Sequence, residues 1–271
     1  MNLWLGATAT VAIAIAGVLI GKFCSRLTKF YWTLGYFIPL AIIAVYAIAI
    51  LFPAISFIPP FSWMMMGQKR YAILGFIVAL VFTLPLSRLP LKRERIAVSV
   101  LMSTIILIMA VWPFLAPAFN RNRLEHLHTH FDSDGVCLQS TYYTCGPAAA
   151  VTALHKLGFE AEEGQLAIQS LTSSLTGTQS DILAEALRRQ YGKNGLSVEY
   201  RQFENISELK DAGLIVATVK FGFMVNHFVT VIKVTDSQVI VGNPINGLQK
   251  LSYDEFQQEW LFMGIVLKRK S

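Results

Sequence analysis

The chain has 271 residues, of which 54% are apolar and 15% are charged, and its formal net charge is +6. Soluble domains are about 25% charged, so this composition excludes a wholly soluble protein, and its high apolar content excludes a disordered one. The basic excess lies in residues 1–119, which have nine Lys or Arg and one acidic residue; residues 120–271 have fourteen basic and sixteen acidic residues. A basic surplus confined to an apolar half indicates membrane orientation rather than binding to nucleic acid.

Four apolar segments predict a multi-pass α-helical membrane region over residues 1–119. The expected helices are residues 3–20, 31–52, 71–86 and 96–119. A spanning helix needs about 20 mostly apolar residues, which the second and fourth segments reach and the other two approach. No charged residue or histidine lies in the middle of a segment, so we expect an anchor in the lipid bilayer rather than a transport pathway.

The loops between these helices predict their orientation. The loop after the first helix has three basic residues and no acid, and the loop after the third has four basic residues and one acid. Because basic loops stay in the cytoplasm, both ends of the chain are expected outside it. The predicted localisation is therefore the inner cell membrane, with the soluble domain on the extracytoplasmic side.

Residues 120–131 are expected to be a solvated juxtamembrane linker. They include His126, His128 and His130, which would share one face if this stretch were a strand. That alternation is compatible with a metal site, but no cysteine lies nearby, so we favour the linker and expect no metal or cofactor.

Residues 132–271 predict one α+β domain of about 140 residues, an ordinary single-domain size. Helices precede most of the strands, which is typical of this fold class. The predicted helices are residues 148–157, 180–190 and 253–260. The predicted strands are residues 196–203, 214–221, 227–234, 238–242 and 262–267.

A cysteine stands at the entrance of the first of these helices, in the stretch Gln139-Ser-Thr-Tyr-Tyr-Thr-Cys145-Gly146-Pro147. A helix start favours the thiolate, so we expect a lowered pKa and a nucleophilic Cys145. Gly146 allows close approach of another part of the chain. The Gln139 side chain can turn back to the same point and, with the Cys145 backbone N–H, form an oxyanion hole.

A histidine partner is predicted from a hairpin in the second half of the domain. The residues Thr235-Asp-Ser separate two apolar strands and indicate a turn. Centring the hairpin on Thr235 places His227 opposite Asn243 and Val229 opposite Val241. Side chains directly opposed in this way are close enough for the Asn243 amide to orient the imidazole.

These stretches, together with Asn243-Pro and the later Leu251-Ser-Tyr-Asp-Glu-Phe, resemble the C39 peptidase family. Its members are papain-like, double-glycine-leader cysteine proteases, often found at the front of bacteriocin-exporting ABC transporters. The resemblance covers roughly residues 132–268. It implies Cys145 as nucleophile, His227 as general base and acid, and Gln139 as oxyanion donor. The family usually has Asp as its third member, where this chain has Asn243; Cys–His–Asn is workable because the third group chiefly orients the histidine.

The predicted function is a membrane-anchored cysteine peptidase acting on a peptide or protein, with cleavage after a Gly-Gly-type leader as one option. Two alternatives stay open: a leader-binding module that does not cut, and a thiol acyltransferase or amidase on the same scaffold. The sequence has no phosphate-binding loop, so ATP is not expected as a partner, whereas a separate exporter is a candidate. A disulfide between Cys137 and Cys145, holding the enzyme inactive, is a further hypothesis.

Overall fold

The computed structural model describes residues 3–51, 53–59, 61–67, 69–222 and 225–270. The chain divides into two compact units, Met1–Ala118 and Phe119–Ser271, which we describe separately.

The first unit is helical. Its elements are α1 (Leu3–Ser25), α2 (Lys29–Leu51), a 3-10 turn (Pro53–Phe57), α3 (Phe61–Met65), α4 (Lys69–Leu86) and α5 (Lys92–Ile106). A π-helical turn, Leu107–Val111, joins α5 to α6 (Trp112–Glu125). Pro113 follows this turn and has no N–H to continue the α-helical pattern, which accounts for the widened turn before it.

Within the described residues, three helical spans are long and apolar enough to cross a membrane: Trp4–Ser25, Lys69–Leu86 and Lys92–Glu125. Three of the four predicted segments lie in these spans. The segment predicted at residues 31–52 lies largely in α2, where a shorter apolar stretch, Gly35–Ala49, was found. The helices extend beyond the predicted apolar segments because basic residues such as Lys22 and Lys69 continue the helical backbone.

Small residues set the distance between α1 and α4. A Cβ atom at Gly17 would lie 2.7 Å from the carbonyl oxygen of Phe76, and one at Gly21 would lie 2.8 Å from the Cβ of Thr83. Glycines that let helix backbones approach closely are typical of helix pairs in membranes.

The second unit is built on a six-stranded antiparallel sheet with the strand order β3-β8-β4-β5-β6-β7. The strands are β3 (Leu196–Gln202), β4 (Leu214–Gly222), β5 (Val225–Val234), β6 (Gln238–Asn243), β7 (Gly247–Ser252) and β8 (Trp260–Arg269). A separate short ladder pairs β1 (His130–Phe131) with β2 (Cys137–Leu138). The helices are α7 (Cys145–Lys156), α8 (Glu163–Gln169), α9 (Ser180–Tyr191) and α10 (Tyr253–Glu259).

Two apolar clusters lie on opposite faces of this sheet. One joins the buried faces of α7, α8 and α9 to alternate strand residues such as Val216 and Phe228. The other joins α10 and the segment around Leu209 to the intervening strand residues, including Val229 and Val241. The α+β class predicted for this half of the chain is confirmed.

The three predicted helices and five predicted strands of this unit are all present, and Gly158 ends α7 with a φ of +77°, as a helix-terminating glycine does. The prediction missed the two-residue strands β1 and β2, and it also missed α8 and β7. Both are short and rich in polar residues, so neither shows a clear apolar periodicity.

The stretch expected to be a solvated linker differs from that expectation. Residues up to Glu125 complete α6, and Leu124 is fully buried in a cluster with Tyr143 and Ala167. The helix continues beyond the apolar segment, and Leu124 then fits an apolar site of the second unit. Among the described residues, the histidines that follow form no group of three metal-binding side chains.

Candidate active site

Cys145 is the first residue of α7, and its thiol lies at the start of that helix next to β5. The backbone N–H groups of Phe228, Gly146 and Cys145 itself lie close to the thiol and favour its thiolate form. The helix is fixed to the strand by a buried hydrogen bond, in which Thr230 Oγ1 donates to the Ala149 carbonyl at 2.6 Å. The contact with Phe228 places the nucleophile beside the residue that follows His227.

Burial is the dominant influence on the Cys145 thiol, which raises its pKa above the ordinary value. The three backbone N–H groups lower the pKa, but they do not outweigh burial. The expectation of a lowered pKa is therefore wrong for this state, because the side chain is 9% exposed and has lost most of its hydration. A thiol of this kind needs a base to remove its proton.

Gly146 occupies a position where a side chain would not fit. A Cβ atom there would lie 3.0 Å from the Cβ of Thr178, on the loop before α9. The close approach expected at Gly146 is confirmed.

His227 lies near the start of β5 and is 5% exposed. Burial lowers the pKa of His227, and the hydrogen bond to Asn243 partly opposes this effect. The ring packs against Phe221, with centroids 5.3 Å apart. A buried imidazole with a lowered pKa is neutral at pH 7 and can act as a base.

The side chain of Asn243 fixes which ring nitrogen carries the proton. Its Oδ1 accepts a hydrogen bond from the Ile245 backbone N–H at 2.9 Å, and its Nδ2 donates to Gln249 Oε1 at 2.9 Å. Oδ1 is therefore the oxygen that lies 3.0 Å from His227 Nε2. Since an amide oxygen only accepts, Nε2 must donate, which leaves the lone pair on Nδ1.

The hairpin register differs from the prediction, although the predicted pair forms. Val241 lies opposite Val231, whereas the prediction placed it opposite Val229. The ladder also shifts between Val231 and Lys233. His227 and Asn243 are therefore not directly opposed, and their side chains meet along the strands. The pair survives because a two-residue shift keeps every side chain on the same face of the sheet.

Gln139 lies beside the third member of the site. Its backbone N–H donates to the Pro244 carbonyl at 2.9 Å, which joins the loop before α7 to the residue after Asn243. Within the described part of the chain, the buried Oε1 of Gln139 has no hydrogen-bond partner. No hydrogen bond among the described residues joins the Cys145 thiol to the His227 ring; such contacts often tighten only when substrate binds.

A cavity of about 300 Å³ is lined by His227 and Asn243, and neither Cys145 nor Gln139 is among the described residues that line it. His227, Asn243 and Gln249 contribute its polar wall, and valines of the sheet contribute much of the rest. Phe221 and Ile245, next to the catalytic groups, leave 64% and 43% of their surfaces exposed. Apolar side chains beside a partly polar cavity form a surface suited to a peptide.

The sequence analysis missed two polar side chains, one of which contacts a predicted site residue and the other the neighbour of such a residue. Gln249 accepts from Asn243, and Glu163 accepts from Ser140, the neighbour of Gln139. Gln249 lies in a strand that was not predicted. Glu163 begins a helix that was not predicted, and an acidic residue at that position usually faces solvent.

The second half of the chain matches a known protein family. The model of the peptidase C39 family matches residues 134–271, which is half of the chain. This chain belongs to the peptidase C39 family. The matched range includes the six-stranded sheet, α7 and the residues Cys145, His227 and Asn243.

Similar proteins include an uncharacterized protein of Methanothermobacter marburgensis. It is 30% identical over 129 residues, which are 48% of this chain and 83% of that protein. An uncharacterized protein of Methanothermobacter thermautotrophicus is 24% identical over 52% of this chain and 92% of its own length.

Solved C39 structures are also similar. The peptidase domain of Streptococcus ComA, a bi-functional ABC transporter involved in a quorum-sensing pathway, is 23% identical. The match covers 49% of this chain and 96% of that domain, with a TM-score of 0.43. A double glycine motif protease from an AMS/PCAT transporter, in complex with its leader peptide, is 18% identical over 54% of this chain and 96% of that one, with a TM-score of 0.42.

The hypothetical inactivating disulfide would join Cys137 and Cys145 in this C39 domain. Both are free thiols. Burial, followed by the nearby Glu163, raises the pKa of Cys137 to about 12. A thiol with so little thiolate reacts slowly in disulfide exchange, which argues against the proposed inactivating disulfide.

Proposed function

We propose that this chain is a membrane-anchored cysteine peptidase that hydrolyses peptide bonds. Cys145 is the nucleophile, His227 the general base and acid, Asn243 the orienting residue and Gln139 the oxyanion donor. The observation that supports this most is the Asn243 amide, whose orientation leaves the lone pair of His227 on Nδ1. A ring held in this tautomer has a free lone pair on Nδ1 with which to take a proton from the Cys145 thiol.

The mechanism follows from these groups. His227 Nδ1 removes the thiol proton, and the Cys145 sulfur attacks the peptide carbonyl. The backbone N–H of Cys145 and the side-chain amide of Gln139 donate to the resulting oxyanion. His227 then gives its proton to the leaving amine, and a water molecule activated by the same ring hydrolyses the thioester.

The substrate is a peptide or protein chain that lies against the exposed Phe221 and Ile245. Family membership favours cleavage after a Gly-Gly-type leader. No charged cluster surrounds the catalytic groups among the residues that line the described cavity, whose only ionisable members besides His227 are Lys220 and Glu259. Backbone and apolar contacts are therefore expected to dominate binding.

The membrane part of the proposal is a multi-pass anchor of four helices, with the peptidase domain on the extracytoplasmic side. The three spans and the basic loops that follow α1 and α4 support it. Reporter fusions to the C-terminus that are active only outside the cytoplasm would test this. If a C-terminal reporter that is active only inside the cytoplasm gave the signal instead, the orientation would be the reverse of the one proposed.

A thiol-directed probe tests the chemistry without knowledge of the substrate. Membranes containing the full chain are treated with alkyne-tagged iodoacetamide, and labelling is compared with that of Cys145→Ala, because Cys24 also reacts. We expect His227→Ala to lose most of the Cys145-dependent labelling. His155 is an exposed histidine on α7, the helix that begins at Cys145. His155→Ala is therefore the matched control and should keep the Cys145-dependent labelling.

Two outcomes would redirect the proposal. Equal labelling in wild type and Cys145→Ala would favour the leader-binding alternative. Labelling with acyl transfer to an added amine in preference to water would favour the acyltransferase alternative.

A further inference from the structure

A fully buried carboxylate lies beside the loop that carries Gln139, and the proposed mechanism does not use it. Glu163 is the first residue of α8 and is 0% exposed. Both of its oxygens accept hydrogen bonds from Ser140. The Ser140 backbone N–H donates to Oε1 at 2.9 Å, and the Ser140 hydroxyl donates to Oε2 at 2.6 Å.

Burying a carboxylate is costly unless its oxygens are hydrogen-bonded, and even then it rarely adds net stability. In the part of the chain that the structure describes, Glu163 forms no ion pair with Lys or Arg. Among the described residues, the hydrogen bonds to its side chain come from Ser140. The arrangement therefore fixes the backbone of Ser140 rather than neutralising a charge.

Ser140 comes directly after Gln139, the proposed oxyanion donor. On its other side, the Gln139 backbone is held by the Pro244 carbonyl. The buried Oε1 of Gln139 has no partner among the described residues, so that atom does not fix the side chain. The two restraints, from Pro244 and from Glu163, hold the backbone from which the Gln139 side chain extends.

Glu163 is itself held in place. Its backbone N–H donates to Thr129 Oγ1 at 2.9 Å. A Cβ atom on the next residue, Gly164, would lie 2.2 Å from the Leu124 carbonyl, so the end of α6 packs tightly on the first turn of α8. The carboxylate is thus a fixed point to which the loop can be attached.

We propose that Glu163 is a positioning residue: through its two hydrogen bonds to Ser140, it places Gln139 for donation to the oxyanion formed at Cys145. This inference rests on the proposed peptidase function. It predicts that Glu163 affects acyl transfer, which forms an oxyanion, and does not affect alkylation of the same sulfur, which forms none.

Two probes separate these steps on the full chain in detergent micelles. Iodoacetamide alkylates the Cys145 sulfur by displacing iodide, with no carbonyl addition. With p-nitrophenyl acetate, the sulfur adds to the ester carbonyl, p-nitrophenolate leaves, and water later hydrolyses the acetyl thioester. Rates for Cys145→Ala are subtracted from both measurements.

We expect Glu163→Gln to lower the p-nitrophenyl acetate rate at least about tenfold, since displacing a catalytic donor by even 1 Å is costly. Its iodoacetamide rate should stay within about twofold of wild type. Ser140→Ala, which removes the hydroxyl bond and keeps the backbone one, should show the same selectivity with a smaller loss. Glu160→Gln makes the same charge change at an exposed residue shortly before α8 and should match wild type in both reactions.

Equal loss of both rates in Glu163→Gln and in Ser140→Ala would show a general structural role and overturn the inference. Unchanged rates in both variants would also overturn it. If Glu163→Gln fails to fold, the selectivity of Ser140→Ala decides. A wild-type protein that reacts with iodoacetamide at Cys145 and shows no Cys145-dependent esterolysis would instead overturn the proposed function, and this inference with it.

Discussion

Asn243 is the natural place to perturb the site, because the family usually has a carboxylate there. Replacing Asn243 with Asp places a negative charge about 3 Å from His227 Nε2, at the present Oδ1 position. The Ile245 backbone N–H can still donate to the new carboxylate. Gln249 must rotate its amide by 180° so that it donates where it now accepts.

The expected size of the effect follows from this contact. At an effective dielectric constant near 20, unit charges at this distance interact by a few kcal/mol, and carboxylates in contact with basic groups shift the pKa by about 1–3 units. The carboxylate favours the imidazolium, so the pKa of His227 rises from its lowered value. Each unit of that rise increases the thiolate–imidazolium population about tenfold while the neutral pair dominates.

We therefore expect Asn243→Asp to raise the iodoacetamide rate at Cys145 about tenfold or more at pH 7. Wild type should react slowly at neutral pH and faster as the pH rises, because the thiol pKa is raised and the imidazole pKa lowered. The variant should show a plateau at neutral pH that wild type lacks. The assay is the second-order alkylation rate of the full chain between pH 5 and pH 10, roughly the range over which both groups titrate.

Asn246→Asp is the matched control, since it adds the same charge at an exposed residue of the same cavity. We expect less than about a twofold change there, because exposed charges are strongly screened. An unchanged neutral-pH rate in a folded Asn243→Asp protein would refute the reasoning. Equal increases in both variants would show a general field effect and would refute it as well.

Three other substitutions test contacts described above. Gln249→Glu keeps an acceptor for the Asn243 amide and should leave alkylation near wild type. Gly164→Ala forces a Cβ into a backbone carbonyl and should destabilise the second unit by about 2 kcal/mol, lowering its melting temperature by several degrees. Thr230→Val keeps the side-chain volume and loses the hydrogen bond to Ala149, which should cost about 1 kcal/mol of unfolding free energy.

The controls for these substitutions come from the same unit. Gly192→Ala introduces a Cβ whose nearest contact is Arg188 Cγ at 3.9 Å, so its melting temperature should stay near wild type. Equal melting of the Gly164 and Gly192 variants would contradict the packing described for the end of α6. Circular dichroism of the full chain in detergent measures both, and urea unfolding measures the Thr230 variant.

The proposed site residues could be located from sequence because each lies in an element with a clear local pattern. Cys145 begins a helix with regular apolar spacing, and His227 and Asn243 lie on strands joined by a recognisable turn. The hairpin register was not predictable, since the irregularity between Val231 and Lys233 has no sequence signature. The pair still met because side-chain facing depends on even and odd spacing rather than on the register itself.

The supporting residues were not predictable for a different reason. The partner of Glu163 is Ser140, which is 23 residues earlier, and Glu163 is buried only because of tertiary packing around α8. The pKa of Cys145 is a similar case. The helix start favours the thiolate, but the extent of burial, which opposes it, depends on the packing of β5 against α7.

The burial of Leu124 bears on where a recombinant version of the catalytic half should begin. The family match starts at residue 134, yet Leu124 fills an apolar site against Tyr143 and Ala167. A protein cut at residue 132 would expose that site to water and invite aggregation. A fragment starting at Phe119, the first residue of the compact second unit, keeps Leu124 and therefore keeps this apolar site filled.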